Sequence, residues 1–167
     1  MNVLVTAASD HGATAEIASA IGEALRERGM VVTVAPVEDV PGVEGYDAFV
    51  IGSAVYAGHW LKAARKFVES HARGLSGRPV WLFSSGPIGD PPKPTEESVD
   101  VAPLAATVHA CGHGLFGGKL DRSTLSFGER AIVTALRAPE GDFRDFAEIR
   151  DWALGIAESL IGQEAAG

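Results

Sequence analysis

The sequence predicts an α/β domain with a doubly wound, five-stranded parallel sheet and helices on both faces. Short apolar runs alternate with longer segments whose apolar residues follow helical spacing, which is typical of strand–helix–strand units. The strand-like runs are apolar throughout, as expected for strands that are buried on both faces. The length suits one domain over residues 1–167, and neither an internal repeat nor a long linker divides the chain.

Five apolar runs are predicted as strands, the last of them weakened by its glycines. They cover residues 2–6, 31–34, 46–52, 79–83 and 114–118. With right-handed crossovers, we expect these strands to lie in the order 2-1-3-4-5. In such a sheet a ligand binds at the carboxyl ends of strands 1 and 3.

The predicted helices alternate with these strands. They cover residues 14–28, 60–73, 100–110, 126–137 and 143–161. The first helix stops at Gly29, and the last begins with Asp145 followed by Glu148, which resembles a capping box. Small residues, Gly and Pro dominate 7–14, 39–45, 53–59 and 84–94, which are therefore predicted to be loops.

The acidic balance and the single cysteine limit the partners and the compartment. The net charge of −8 disfavours nucleic acid and favours basic partner proteins or electropositive docking faces. Cys111 has no second cysteine to pair with, which fits a reducing compartment. The chain opens directly on an apolar strand, and no run approaches the ~20 residues of a membrane span, so we expect a cytoplasmic protein.

Three loops of small residues follow strands 1, 3 and 4, and their ends converge in the predicted sheet. The first runs into a helix N-terminus, whose free N–H groups and positive dipole suit a phosphate. Its residues are Ser9, Asp10, His11, Gly12, Ala13 and Thr14. It has neither the Gly-Lys-Ser/Thr ending of a Walker loop nor the three-glycine dinucleotide spacing. The alternative is an ordinary turn before a capped helix.

The second and third loops offer an aromatic ring and backbone groups. The candidate residues are Ala54, Val55, Tyr56, Ala57 and Gly58 in the second, and Ser85, Gly86, Pro87, Ile88, Gly89 and Asp90 in the third. Tyr56 can stack on a flat heterocycle, whereas Trp60 at a helix start is interpreted as a core residue. The glycines of the third loop expose amides and carbonyls to a ring edge. The alternatives are core capping and a plain strand exit.

These loops resemble those of flavodoxins. Ser9, Gly12 and Thr14 match the flavodoxin phosphate pattern Ser/Thr-x-Thr-Gly-x-Thr, with His11 in place of the middle Thr. Tyr56 falls where flavodoxins often place an aromatic against one flavin face, and Ile88 falls near the second stacking position. The resemblance implies a flavodoxin-like fold and FMN as the cofactor, held by the residues named for the three loops.

Within that superfamily the chain is similar to menaquinone-dependent protoporphyrinogen oxidases. The likeness rests on residues 10–19, 51–54 and 58–59, and on an extra segment, 122–144, before the last helix. In that branch the segment is strongly basic, as fits docking at a membrane, whereas here acidic and basic residues balance. An apolar docking face for peripheral membrane contact and ordinary core packing both remain open for this segment.

The resemblance implies an FMN-dependent redox protein whose partner is a redox protein or a quinone. It leaves open a quinone-linked oxidase of porphyrinogen-like small molecules, a small quinone reductase, a non-enzymatic electron carrier, and an interaction module that has lost FMN. Because a flavin itself takes and gives electrons, we expect no catalytic side-chain dyad. His109, Cys111 and His113 are interpreted as packing and surface residues rather than as metal ligands.

Overall fold

The computed structural model describes residues 1–56, 58–86, 100–117, 119–120, 141–142 and 144–166. Most of the 122–144 segment, including the helix predicted at 126–137, lies outside these residues.

The main sheet has five parallel strands in the predicted order. Its strands are β1 (Asn2–Ala8), β2 (Val31–Pro36), β3 (Ala48–Tyr56), β5 (Val80–Ser85) and β6 (Gly112–Phe116), and a short β4 (His59–Trp60) pairs antiparallel with β3. The order β2-β1-β3-β5-β6 confirms the predicted 2-1-3-4-5 once β4 is left aside. A separate two-stranded ribbon pairs β7 (Lys119–Leu120) with β8 (Gly141–Asp142).

Helices cover both faces of this sheet, in agreement with the predicted fold class. They are α1 (Ala13–Glu27), α2 (Lys62–Ser70), α3 (Ala72–Leu75), α4 (Val101–Val108) and α5 (Phe146–Ala166), with a 3-10 turn at Val37–Asp39. At the start of α5, Asp145 Oδ1 accepts hydrogen bonds from the backbone N–H groups of Ala147 and Glu148, as its capping role requires. None of the helices that the structure describes has the length and apolar character of a bilayer span.

The sheet separates two apolar cores because successive strand residues point to opposite faces. Val3, Val5 and Ala7 of β1 pack with α1 and α5 on one side. Leu4 and Ala8 of the same strand pack with α2, α3 and α4 on the other. Each fully buried Val or Leu side chain among them contributes about 1.5–3 kcal/mol. Both faces are thus anchored, which fixes the carboxyl ends of the strands.

Three predicted boundaries were wrong in a way that bears on the site. The loop predicted at 53–59 is a β-hairpin, because β3 continues to Tyr56 and the chain turns at Gly58 into β4. Strand β1 likewise extends through Ala8, since Ser53 of the longer β3 is beside it. The helix predicted at 60–73 begins instead at Lys62, because Trp60 belongs to β4. The predicted helix is also divided at His71 into α2 and α3.

Candidate functional site

The register of the sheet brings the three predicted loops to one edge. Ala8 of β1 is beside Ser53 of β3, and the next residue, Ala54, is beside Ser85 of β5. Neighbouring strands are about 4.8 Å apart, so the ends of β1 and β5 lie about 10 Å from each other, with β3 between them extending about 10 Å beyond Ser53. Ser9, the hairpin turn and Gly86 follow directly from these exits.

A glycine with positive φ stands in each of the three loops. The φ angles are +85° at Gly12, +81° at Gly58 and +80° at Gly86. This left-handed conformation is strained for residues with a Cβ, so glycine is required at each turn. Among the described residues, no heavy atom would lie within 4 Å of a Cβ added at Gly12 or Gly58. Within the described part of the chain, there is therefore room beside the backbone at these two turns.

The first loop leads into α1 with its helix N-terminus open. The hydroxyl of Ser9 accepts a hydrogen bond from the backbone N–H of Gly12 at 3.0 Å, which closes the loop. Gly12 is the N-cap residue, and no side chain among the described residues caps the first turn of α1. Asp10, His11 and Gly12 are exposed, Ala13 is half-buried, and Thr14 is buried. The loop thus offers backbone N–H groups to an anion, and none of its residues is Lys or Arg.

The hairpin places Tyr56 and its neighbours at the same edge. Tyr56 is half-buried at the end of β3, opposite His59, and Gly58 is half-buried at the turn. Ala54 is half-buried as well, whereas the Val55 side chain packs into the core on the α2 side. Ala57, which was also predicted to contribute, lies outside the described residues.

Trp60 is a core residue, as its position in the sequence suggested. Its side chain is buried, and the indole Nε1 donates a hydrogen bond to Ser84 Oγ at 2.8 Å. The same hydroxyl is 2.9 Å from Nε2 of His113, so two neighbours occupy it. His109, in contrast, ends α4 with a φ of +54°, and Cys111 is exposed.

The Asp100 carboxylate holds the second strand of the hairpin, β4. Its Oδ2 accepts a hydrogen bond from the backbone N–H of Trp60 at 2.9 Å and lies 3.2 Å from His59 Nδ1. Ser53 Oγ adds a second tie, accepting from the N–H of Leu61 at 2.9 Å and donating to the carbonyl of Ala54 at 2.8 Å. The chain that follows the turn at Gly58 is consequently held by two side chains, Asp100 and Ser53.

The third loop is described only at its beginning. Ser85 and Gly86 are buried, and the N–H of Gly86 donates to the carbonyl of Phe116 at 3.0 Å. This bond ties the strand exit to β6. The remaining predicted residues, Pro87, Ile88, Gly89 and Asp90, lie outside the described residues.

The Arg144 side chain, only 5% exposed, joins the end of the 122–144 segment to α1. Its Nε and Nη2 donate to the two carboxylate oxygens of Asp142 at 2.9 and 2.8 Å. Its Nη1 donates to Glu16 Oε2 at 2.6 Å and to the carbonyl of Ala13 at 3.2 Å. The hydrogen bond to Asp142 raises the pKa of Arg144, with Glu16 adding to the effect, so the guanidinium stays charged.

Sequence reasoning found the loops but missed Asp100, Ser84 and Arg144 as residues that organise them. Their hydrogen bonds join residues 40, 24 and 128 positions apart. No local pattern marks such contacts. The one available signal was the charge of Glu16 near a helix start, which a distant cation could balance.

Comparison with known proteins agrees with this architecture. The Flavodoxin domain family matches residues 4–146. Protoporphyrinogen IX dehydrogenase (quinone) of Escherichia coli strain K12 is 36% identical over 86 residues, which is 50% of this chain and 48% of that protein. The chain therefore spans about half the length of the curated relatives it matches.

Solved structures share the fold at low identity. A flavodoxin from the domain Archaea superposes with a TM-score of 0.66 at 18% identity, covering 95% of this chain and 98% of the other. Oxidised flavodoxin 1 of Bacillus cereus superposes with a TM-score of 0.57 at 16% identity, covering 97% of this chain and 98% of that one. Rubredoxin oxygen:oxidoreductase of Desulfovibrio gigas gives 0.64 at 12% identity, covering 98% of this chain and 37% of that one.

Proposed function

Since this chain belongs to the flavodoxin family, whose cofactor is FMN, we propose that it is a redox protein that holds FMN at the three-loop edge. The phosphate would bind Ser9, Asp10, His11, Gly12, Ala13 and Thr14. The isoalloxazine ring would lie between the second and third loops. When bound, FMN supplies the electron-transfer chemistry, and the protein supplies its position and electrostatics.

The first loop fits a phosphate. Because no described side chain caps α1, its first-turn N–H groups remain available at the positive end of the helix dipole. The open space at Gly12 lets an anion approach the backbone closely. Ser9 is already hydrogen-bonded to Gly12, so it shapes the loop in addition to any contact that it makes with a ligand.

The second loop fits the ring. Half-buried Tyr56 offers an aromatic face at the strand end, where it can stack on a planar heterocycle. The Gly58 turn has open space beside it and is held by Asp100 through Trp60. Ser85 and Gly86 leave β5 next to Ala54, which puts backbone polar groups near the same edge.

The observation that carries the proposal is the convergence of three left-handed glycine turns at one sheet edge. The test mixes the purified protein with FMN, desalts it and records the visible absorbance spectrum. We expect a retained flavin spectrum. A colourless protein would refute the proposal and favour the interaction module without FMN.

A pair of glycine variants tests the phosphate loop itself. Gly12 and Gly29 lie at opposite ends of α1, with φ of +85° and +88°, and neither has a heavy atom nearby among the described residues. Ala at either position is strained to a similar degree. We expect G12A to weaken FMN binding measured by fluorescence titration by about tenfold, equivalent to about 1.4 kcal/mol, whereas G29A should not. Equal losses would place the phosphate elsewhere.

We further propose that a quinone accepts the electrons and that a porphyrinogen is the small-molecule substrate. The support is the match to protoporphyrinogen IX dehydrogenase (quinone), at 36% identity over half of this chain. Quinone-dependent oxidation of protoporphyrinogen by the FMN-loaded protein tests this. Retained FMN without turnover would favour an electron carrier with a redox-protein partner. Membrane contact through 122–144 remains a prediction.

A further inference from the structure

Arg144 supplies a buried positive charge at the end of α1 where the phosphate of FMN is proposed to bind. Its guanidinium contacts Ala13 and Glu16, the first residue of α1 and a residue of its first turn. The ring of Phe146 lies 5.0 Å from the guanidinium carbon and covers one face of it. The cation is thus held in a fixed place, one residue from Gly12.

The charge balance at this end of α1 depends on that cation. Residues 9–14 include no Lys or Arg, so the loop has no positive side chain of its own. Glu16 suits a helix start by itself, but its carboxylate repels a second anion at the same terminus. Arg144 faces Glu16 and Asp142, and exposed Asp10 and His11 lie in the loop. Without Arg144, Glu16 Oε2 would lose the guanidinium nitrogen that lies 2.6 Å from it.

We infer that Arg144 is a positioning residue for the phosphate group, because it holds the first turn of α1 in place and offsets Glu16. This inference rests on the proposed FMN site. It also links the described residues before α5 to the first turn of α1, since Arg144 contacts Ala13 and Glu16 and is itself held by Asp142. A merely structural ion pair would act on the fold and not on the phosphate.

The experiment compares FMN with riboflavin, which has the same ring and no phosphate. The dissociation constants of both are measured by fluorescence quenching for the wild type, R144M, R144K and E16Q. We expect R144M to weaken FMN binding about tenfold and riboflavin binding less than twofold. E16Q breaks the same ion pair but removes the repelling charge, so FMN should bind about twofold more tightly. R144K keeps the charge but loses the bidentate contact with Asp142, so its FMN affinity should lie between those of the wild type and R144M, with riboflavin binding again nearly unchanged.

The matched control is R150M. Arg150 pairs with Glu27 near the other end of α1, so R150M removes the same charge and an ion pair to the same helix. It should leave both dissociation constants unchanged.

The outcomes separate this inference from the proposed function. If wild type binds neither flavin, both fail. If wild type binds FMN, three results would overturn the inference alone. The first is an equal loss of affinity for FMN and riboflavin in R144M, and the second is the same loss of FMN affinity in R150M. The third is a change of FMN affinity in the same direction in E16Q and R144M. Should R144M not fold, R144K and E16Q still decide through the ratio of the two constants.

Discussion

Adding one methyl group at Gly52 should destabilise the protein by forcing Phe83 out of its place. Gly52 of β3 is beside Phe83 of β5, and a Cβ at this position would lie closer than 3.0 Å to three atoms of that ring. Carbon atoms in contact prefer about 3.5–4.0 Å, so the ring must retreat by at least about 0.5 Å. Phe83 is fully buried, and the rings of Phe116 and Trp152 limit its movement. The centroid of each lies 6.2 Å from the centroid of the Phe83 ring.

The change in the free energy of unfolding caused by G52A follows from two opposing effects. Overpacking of a closed core costs about 1–3 kcal/mol, and this site belongs at the upper end because the ring has nowhere to move. Replacing Gly by Ala restricts the unfolded chain and returns about 0.4–1 kcal/mol. The net loss in the free energy of unfolding should therefore be about 2 kcal/mol. For a domain of this size that lowers Tm by about 4–8 °C.

Thermal unfolding followed by circular dichroism measures this effect, with G155A as the matched control. Gly155 is exposed on α5, and none of the described residues has a heavy atom within 4 Å of its added Cβ. The same methyl group there should raise stability by about 0.5–1 kcal/mol. In an F83L background the penalty of G52A should fall by at least about half. A G52A protein as stable as wild type, or a penalty unchanged by F83L, would refute the packing argument.

Two further predictions concern polar contacts. S84A leaves the buried Nε1–H of Trp60 without its acceptor, so Tm should fall by an amount equivalent to about 1–3 kcal/mol, and the loss should shrink in a W60F background, where the donor is gone. Arg150 lowers the pKa of Glu27 by a hydrogen bond, so this pair stabilises the fold above the ordinary pKa of Glu27 and is lost as pH falls through the lowered value. E27Q should accordingly lower Tm slightly at pH 7, and the difference from wild type should shrink as scans are repeated at lower pH; a constant difference would contradict the linkage.

The fold was predictable from the sequence because its main signals are local. The apolar runs at 2–6 and 79–83 are each a strand, and Gly29 marks the end of α1 as expected. Parallel-sheet geometry then determines which loops share an edge without any knowledge of side-chain contacts. The three loops at that edge could thus be predicted before the structure, apart from the hairpin in the second.

The hairpin and the hydrogen bonds that hold it could not be predicted from the sequence, and the reason is physical. Whether Ser53–Tyr56 is strand or loop depends on a partner strand beside it, and small residues such as Ala54 adopt either state. Asp100 and Arg144 act through contacts 40 and 128 residues away in the chain. Such contacts follow from the folded arrangement of elements, which composition and spacing do not encode locally.

The single thiol of the chain has a practical consequence for electrochemistry. Cys111 is exposed just before β6, and its N–H bonds to the carbonyl of Val80 at the start of β5, so it lies at the amino ends of the strands. The glycine turns lie at the opposite edge, about 16 Å away along five-residue β6. Bonding this thiol to a gold surface would orient every molecule alike, with the three-loop edge toward the solution. A film made in this way would present that edge to diffusing partners at one fixed height above the electrode.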